Sequence, residues 1–183
     1  MIFRLFMIFL LCFVFTSTLF GQITPAFEGS LSYSFLRETT TNVNRHGWIG
    51  SAAGNVNEWL GVKGEIGGSY ADFVNSSVYS FLAGPQFSAF KSEGMTPWGH
   101  FLFGVARSKR SVPIFFGPPV GTVLGTASET NFAIQPGVGV DFWMGSNFGI
   151  RLGADYRHSF RGDLRDLNYG QLHAGIVFRV GEK

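Results

Sequence analysis

The feature that most constrains the fold is a strict alternation of apolar and polar residues, clearest in NFGIRLGADYRHSF at 147–160. Ile150 and Leu152 share one parity, whereas Arg151 and Asp155 share the other. Successive side chains of a β-strand point to opposite faces of a sheet, so a period of two predicts a strand with two unlike faces. What the chain can do depends on which face points inward.

The composition argues against an ordinary water-exposed surface. Only 14% of the 183 residues are charged, against roughly 25% in typical soluble domains. Aromatic residues reach 16% and glycine occurs 25 times. A hydrophobic content of 45% is too high for a disordered chain. The formal net charge of +2 gives no electrostatic support to nucleic-acid binding, so we expect no nucleic-acid partner.

The N-terminus has the layout of a secretory signal peptide. Arg4 precedes an apolar run at 5–15, and small polar residues follow. The run is shorter than the roughly 20 residues of a spanning helix, which makes a membrane anchor the weaker alternative. We predict a cleaved signal peptide at 1–21 and one domain at 22–183. The only cysteine, Cys12, lies in the signal peptide, so we expect no disulfide in the mature chain.

Eight strand-like segments follow, and none keeps a helical period. We predict strands at 27–37, 46–55, 58–68, 77–91, 96–108, 130–143, 147–159 and 169–180. The connections between them alternate between long and short, as in barrels with short periplasmic turns and longer extracellular loops. We expect the longest connection, at 109–129, to be an extracellular loop. Pro85 and Pro136 remove ladder donors within strands, so we expect a bulge or a local strand break at each.

The polar parity of these strands is mostly glycine and serine, with a few charges of both signs. Glycine weakens a water-exposed strand, whereas small side chains suit the interior of a narrow eight-stranded barrel. The polar face is therefore predicted to line the lumen and the apolar face to contact lipid. The predicted lumen network consists of Glu28, Lys63, Glu65, Gln86, Asp141, Arg151, Asp155, Arg157, His173 and Arg179. The second and fifth strands alternate too poorly for their faces to be assigned.

Two expectations follow from this assignment of faces. If the eighth strand closes on the first, Glu28 and Arg179 meet at the periplasmic end and form an ion pair that locks the register. On the wall, Leu152→Arg should impair membrane insertion, because a cation near mid-membrane is costly on the lipid face. Gly153→Ser, one residue further along and facing the lumen, should be far milder.

Residues that could carry chemistry have simpler explanations. His158 and Ser159 are adjacent in a strand and point to opposite faces, which is a poor arrangement for sharing a proton in catalysis. His100 and His173 lack metal-ligand spacing and have no cysteine partner. We therefore expect no catalytic residue, no metal site and no cofactor.

Four segments resemble the small bacterial outer-membrane β-barrels related to OmpA and the opacity proteins: SVYSFLAGPQFSAF at 77–90, TPWGHFLFGVARS at 96–108, PGVGVDFWMGSNFGIRLGADYRHSF at 136–160 and GQLHAGIVFRVG at 170–181. The resemblance covers essentially all of the mature chain. It implies an eight-stranded antiparallel up-and-down transmembrane β-barrel in the bacterial outer membrane, with both termini periplasmic. It also implies contact with outer-membrane lipids and lipopolysaccharide and insertion by the barrel-assembly machinery. The chain departs from the family in ending on RVGEK after Phe178, where an aromatic residue is often last.

We expect a structural or surface-interaction role for a monomer that holds extracellular loops on a membrane scaffold, with an unknown extracellular partner. One alternative is a narrow channel for small solutes or ions, although a lumen crossed by paired charges disfavours a wide pore. Another is a secreted soluble barrel that binds an apolar ligand, which would invert the two faces.

Overall fold

The computed structural model of the chain describes residues 25–39, 42–71, 76–89, 94–115, 122–162 and 166–182. The strands are β1 (Pro25–Glu38), β2 (Asn44–Asn55), β3 (Leu60–Ala71), β4 (Ser76–Ser88), β5 (Met95–Phe115), β6 (Thr122–Trp143), β7 (Phe148–Ser159) and β8 (Leu167–Glu182). The predicted signal peptide at 1–21 lies outside the described residues. No helix within the described ranges is long and apolar enough to cross a membrane.

The strands form one closed barrel in which each strand pairs with the next along the chain, and β8 pairs with β1. Every pairing is antiparallel, so the topology is up-and-down. Closure leaves no barrel edge unpaired, which is the condition for a sheet to stand in hydrocarbon. The predicted fold is confirmed, and the predicted partners Glu28 and Arg179 face each other across the closing seam.

The two faces of the wall have opposite chemistry. Outward-facing Leu31 and Leu172 are 56% and 61% exposed, whereas inward-facing Lys63 and Arg151 are each 1% exposed. A soluble barrel that binds an apolar ligand needs the reverse arrangement, so that alternative is wrong. The structure also assigns the two strands that the sequence left open: the inward residues are Arg45, Ile49, Ala53 and Asn55 on β2, and Thr96, Trp98, His100, Leu102 and Ala106 on β5.

The predicted long loop at 109–129 is wrong, because β5 and β6 continue through most of it as a paired hairpin. Their ladder runs without a gap from Met95–Phe142 to Phe115–Thr122. The proline–glycine cluster that indicated a loop falls in the connection at 116–121, and the residues on either side are rich in strand-forming types. Because the strands are longer than predicted, the connections are of similar size at the two ends of the barrel, and the predicted alternation of long and short connections is wrong. The connections at one end are 39–43, 72–75, 116–121 and 160–166. Those at the other end are 56–59, 89–94 and 144–147.

The two mid-strand prolines interrupt the ladder without shifting its register. On the β4–β5 side, pairing stops after Ala83–Phe103 and resumes in the same register at Gln86–His100. On the β6–β7 side, it stops at Ile134–His158 and resumes, again in register, at Gly137–Asp155. Both predicted outcomes are wrong: neither strand contains the extra residue of a bulge, and both strands continue through the proline with only the ladder on one side interrupted.

Candidate functional site

The interior of the barrel contains a small apolar cluster (Leu82, Leu102, Ala106 and Ala133) and a large polar cluster built over three glycines of β6 and β7. A side chain at Gly137 would collide with Asp155 and His100, and one at Gly139 would collide with Trp98. These glycines face the lumen and leave the space that the large neighbouring side chains occupy. Glycine on the polar parity is therefore a packing requirement of the interior.

Gly153 belongs to the same set. A side chain there would run into the imidazole of His173 and come within 2.9 Å of the Trp98 ring. The expectation that Gly153→Ser is mild, which rested only on its facing the lumen rather than lipid, is not supported by this geometry.

Trp98 is the centre of the cluster. Its indole Nε1 donates a hydrogen bond to Asp141 Oδ1 at 3.0 Å. The Arg151 guanidinium lies 5.1 Å from the ring centroid, and Lys63 Nζ lies 5.0 Å from it. The aromatic ring therefore interacts with two buried cations, a contact that is stronger when both groups are removed from water. Sequence reasoning missed Trp98 because the alternation on β5 is poor.

Arg151 links the strands of the half nearest the termini. It donates two hydrogen bonds to Asp141, from Nε to Oδ1 at 2.8 Å and from Nη2 to Oδ2 at 2.7 Å. Nη2 also lies 3.4 Å from Glu28 Oε2. Glu28 in turn accepts hydrogen bonds from Asn55 at 3.0 Å and from Gln86 at 3.3 Å. The cluster thus joins β1, β2, β4, β6 and β7 through one cation.

A second part of the cluster lies around Lys63 and Arg157. Lys63 Nζ is 3.0 Å from Glu65 Oε2 and donates to His100 Nδ1 at 3.2 Å. Gln135 donates to Glu65 at 2.8 Å and accepts from Arg157 Nε at 2.7 Å. Opposite charges and amides therefore alternate across the lumen.

Asp155 completes the interior between two histidines. His100 Nε2 lies 3.2 Å from Asp155 Oδ1, and His173 Nε2 lies 3.5 Å from Oδ2. Within the described part of the chain, neither oxygen of Asp155 has a hydrogen-bond partner of acceptable geometry. No group of three or more His, Cys, Asp or Glu residues among the described positions could hold a metal ion.

Nine of the ten predicted lumen residues are buried, and Arg179 is the exception. Arg179 is half-buried at the rim: its Nε donates to the carbonyl of Ser146 at 2.6 Å, and its guanidinium lies 4.1 Å from the Trp143 ring centroid. The direct Glu28–Arg179 ion pair stays a prediction. The larger interior residues that sequence reasoning did not include in the network are Glu38, Arg45, Asn55, Trp98, His100, Gln135 and Gln171, and buried serines and Thr96 lie beside them. Gln135 and Gln171 lie on the parity already predicted to be polar, so that signal was present.

His158 and Ser159 do not form a catalytic pair. His158 lies at the C-terminal end of β7, where Nδ1 is 2.6 Å from Asn168 Oδ1 and Nε2 is 3.4 Å from Asp166 Oδ2. Ser159 is 2% exposed and faces the interior. The two side chains are on opposite faces of the wall, as the strand geometry predicted.

A closed eight-stranded barrel with a charged interior and an apolar exterior defines the class of small membrane β-barrels. Comparison with solved structures identifies the fold more closely. The crystal structure of Neisserial surface protein A superposes with a TM-score of 0.65 at 13% identity, covering 84% of this chain and 95% of that one. Ail, the attachment invasion locus protein of Yersinia pestis, superposes with a TM-score of 0.54 at 21% identity, covering 86% and 99%.

The chain therefore has the fold of the small eight-stranded outer-membrane barrels, as the resemblance in its sequence implied. At these identities the likeness is one of fold. No family model matches the chain, and no curated protein matches it.

Proposed function

We propose that the chain is a non-catalytic, monomeric outer-membrane barrel that acts as a rigid scaffold and presents the β5–β6 hairpin to a partner outside the cell. The observation that carries this proposal is the length of the hairpin. β6 pairs with β5 as far as Thr122 but with β7 only from Ala133 onward. β5 pairs with β4 only as far as Arg110, so among the described strands the segments 111–115 and 122–126 pair only with each other and extend beyond the barrel.

The charge pattern of β5 supports a membrane boundary at the base of the hairpin. The outward-facing residues Phe101, Phe103 and Val105 are 45%, 50% and 42% exposed. The next two on the same parity are Arg107 and Lys109, both exposed. Cations at the end of an apolar band are placed to meet the phosphates of lipid headgroups and of lipopolysaccharide. Recognition by the barrel-assembly machinery belongs to the same proposal.

The base of the hairpin is fixed to the barrel rather than free to swing. Arg161 Nε donates to Glu129 Oε1 at 2.8 Å, and its Nη2 contacts the other carboxylate oxygen. The backbone N–H of Phe160 donates to the carbonyl of Phe132 at 2.9 Å. The bonds from Arg161 hold the pKa of Glu129 below its ordinary value. A braced hairpin suits recognition, because a preorganised surface loses less entropy on binding.

The two solved neighbours agree with a surface role as far as their names go, since one is called a surface protein and the other an attachment invasion locus protein. Removal of the segment 1–21 and a periplasmic position for both termini complete the proposal. The first residue of β1, Pro25, and the last residue of β8, Glu182, lie at the same end of the barrel as the connections 56–59, 89–94 and 144–147.

Single-cysteine labelling tests this orientation, because the chain beyond Cys12 contains no cysteine. Ser128→Cys on the hairpin should react with a membrane-impermeant maleimide on intact cells. Ser146→Cys, in the connection at the opposite end, should react only after the envelope is opened. Labelling of Ser146→Cys alone on intact cells would show that the barrel is inserted the other way round.

A hairpin deletion tests the presentation role. Replacing 111–126 with a two-residue Asn-Gly turn keeps the barrel ladder, because Arg110 and Ala127 are cross-strand partners. The shortened chain should still migrate differently before and after boiling, while displaying cells lose adhesion to a cultured cell monolayer. Unchanged adhesion by a surface-exposed, folded variant would contradict the role of the hairpin.

The alternative is a narrow channel, and the packing of the lumen argues against it. Gln86, Gln135 and Arg157 inside the barrel are 0%, 0% and 1% exposed, so they are packed against other protein atoms rather than against an open water path. We expect no ohmic steps from the purified chain in planar bilayers. Stable steps at a fixed conductance would favour the channel.

A further inference from the structure

The register of the β5–β6 ladder identifies which backbone groups lie along each edge of the hairpin. The ladder keeps one register over its whole length, so along β6 the residues point their N–H and C=O groups alternately to β5 and to the other side. The N–H of Phe160 donates to the carbonyl of Phe132, which places the backbone groups of Phe132 on the side away from β5. The even-numbered residues nearer the tip, among them Thr126 and Ser128, therefore point their backbone groups to that same side.

This side of β6 at 122–131, called the β6 edge, is open. β7 pairs with β6 only from Ala133 onward, and among the described residues no other backbone–backbone hydrogen bond reaches the β6 edge. The even-numbered residues of 124–128 thus present a row of N–H donors and C=O acceptors. The segment, TVLGTASETN, contains no proline, lysine or arginine, and its one charged residue, Glu129, is paired with Arg161.

The opposite edge of the hairpin, on β5, is blunted by a proline. Pro97 and Pro113 lie an even number of residues apart in one uninterrupted strand, so their backbone groups point the same way. The carbonyl of Pro97 accepts from the N–H of Ala89, just after β4, which makes this the side away from β6. Pro113 therefore removes a donor from the β5 edge without disturbing the ladder to β6. Proteins commonly protect exposed strand edges in this way, and the β6 edge lacks that protection.

We propose that the β6 edge binds an extended peptide segment of a partner protein by β-strand addition. An extended backbone is the complement of an open edge, because it presents acceptors and donors at the spacing of the edge groups. Main-chain hydrogen bonds then supply the affinity. The inference deepens the proposed function and rests on it for the position of the hairpin outside the cell.

A second copy of the chain fits this edge less well than a partner's peptide. Two barrels in one membrane have the same orientation, so their β6 strands run in the same direction and pair only in parallel, the slightly less stable arrangement. Pairing of β6 with the β5 edge of a neighbouring copy meets Pro113, which has no N–H to donate. A separate peptide is free to run antiparallel to β6.

The test uses the full mature chain in phospholipid micelles and a short peptide of alternating threonine and valine whose valines are N-methylated. Because successive N–H groups of a strand point to opposite edges, this methylation leaves the peptide one pairing edge and prevents it from stacking into a sheet. The control is the same peptide methylated at every backbone nitrogen. Amide exchange at Leu124, Thr126 and Ser128 should slow by roughly fivefold or more with the first peptide only, the effect of one hydrogen bond of ordinary net strength. Exchange at the residues between them, whose N–H groups point to β5, should not change.

Three results of this titration would overturn the proposal. Slowing by neither peptide would show that the edge does not pair, and equal slowing by both would show that its backbone groups are not what binds. Slowing of the same amides that rises with protein concentration and needs no peptide would assign the edge to a second copy of the chain.

Two serine-to-proline variants form a matched pair, one on each edge of the hairpin. Ser128→Pro removes an N–H from the β6 edge, whereas Ser111→Pro removes one from the edge that Pro113 already blunts, and both leave the ladder between β5 and β6 intact. Ser128→Pro should weaken peptide binding roughly fivefold or more and reduce adhesion of displaying cells, while Ser111→Pro should change neither.

Comparison with the hairpin deletion separates the two proposals. Full adhesion by Ser128→Pro, together with loss of adhesion on deletion of 111–126, would overturn pairing at the β6 edge and leave the proposed function standing. Adhesion that survives the deletion contradicts the proposed function, and the peptide titration then decides the edge on its own.

Discussion

Replacing Arg151 with methionine should strongly destabilise the barrel. The change removes the cation that joins Asp141 and Glu28 in the half of the barrel nearest the chain termini. Arg151 makes two short hydrogen bonds to Asp141 and lies 3.4 Å from Glu28. Hydrogen bonds to charged groups contribute about 1.5–3 kcal/mol each. Removing one partner of a buried ion pair costs about 3–5 kcal/mol, since the other charge stays behind.

The remaining partners determine where in that range the loss falls. Asp141 keeps the bond from Trp98, and Glu28 keeps the amides of Asn55 and Gln86. We therefore expect about 4 kcal/mol for Arg151→Met, from the middle of the range. Asp141→Asn retains the shape of the side chain and leaves Arg151 its contact with Glu28, so we expect about 2 kcal/mol.

The double variant tests whether these energies come from the pair. Its loss should be about 4 kcal/mol, which is about 2 kcal/mol less than the sum of the single losses, because the contact can be broken only once. Urea unfolding in phospholipid micelles, followed by tryptophan fluorescence, measures all three differences. Strictly additive losses, or an Arg151→Met variant as stable as the parent, would refute the assignment of Arg151 as the central cation.

Three further predictions follow from the wall, the glycines and the hairpin base. Leu152→Arg should cost about 2–4 kcal/mol of folding free energy in vesicles, because the Leu152 side chain is 43% exposed on the apolar face. A folding free energy equal to that of the parent would place this face in the lumen. Gly153→Ser should lower the free energy of unfolding by about 1–3 kcal/mol through overpacking. Gly64→Ser is the control and should be nearly neutral in the same urea assay, because nothing lies within 4 Å of its added carbon. Equal losses in the two variants would contradict the packing argument. Because Arg161 lowers the pKa of Glu129, their contribution is present above the ordinary Glu pKa and is lost as pH falls through the lowered one. The protection factor of the amides at the hairpin base, which is their exchange rate relative to that of the unstructured chain at the same pH, should fall on going from about pH 6 to about pH 3. Arg161→Gln should remove most of that dependence, and a protection factor that stays constant in the parent would contradict the brace.

The sequence by itself determined the faces and the closure of this barrel. Strict alternation on β7, with Arg151 and Asp155 on one parity and Ile150 and Leu152 on the other, reports a local property of extended backbone. It needs no knowledge of the rest of the fold. The position of Glu28 opposite Arg179 could also be predicted, because an up-and-down barrel has only one seam to close, between its first and last strands.

Only the tertiary structure decided how the interior is packed and where the wall is interrupted. Trp98 meets Arg151 and Lys63 from different strands, and Gly153 is required because His173 of the next strand fills its space. The extension of β5 and β6 was likewise hidden, because the prolines and glycines of the segment indicated a loop while pairing between the two strands stabilised a hairpin. Side-chain parity follows from each strand alone, whereas contacts across a lumen depend on strand register and on neighbours distant in sequence. The physical reason for the difference is that the alternation of a strand is local and the packing of a closed barrel is not.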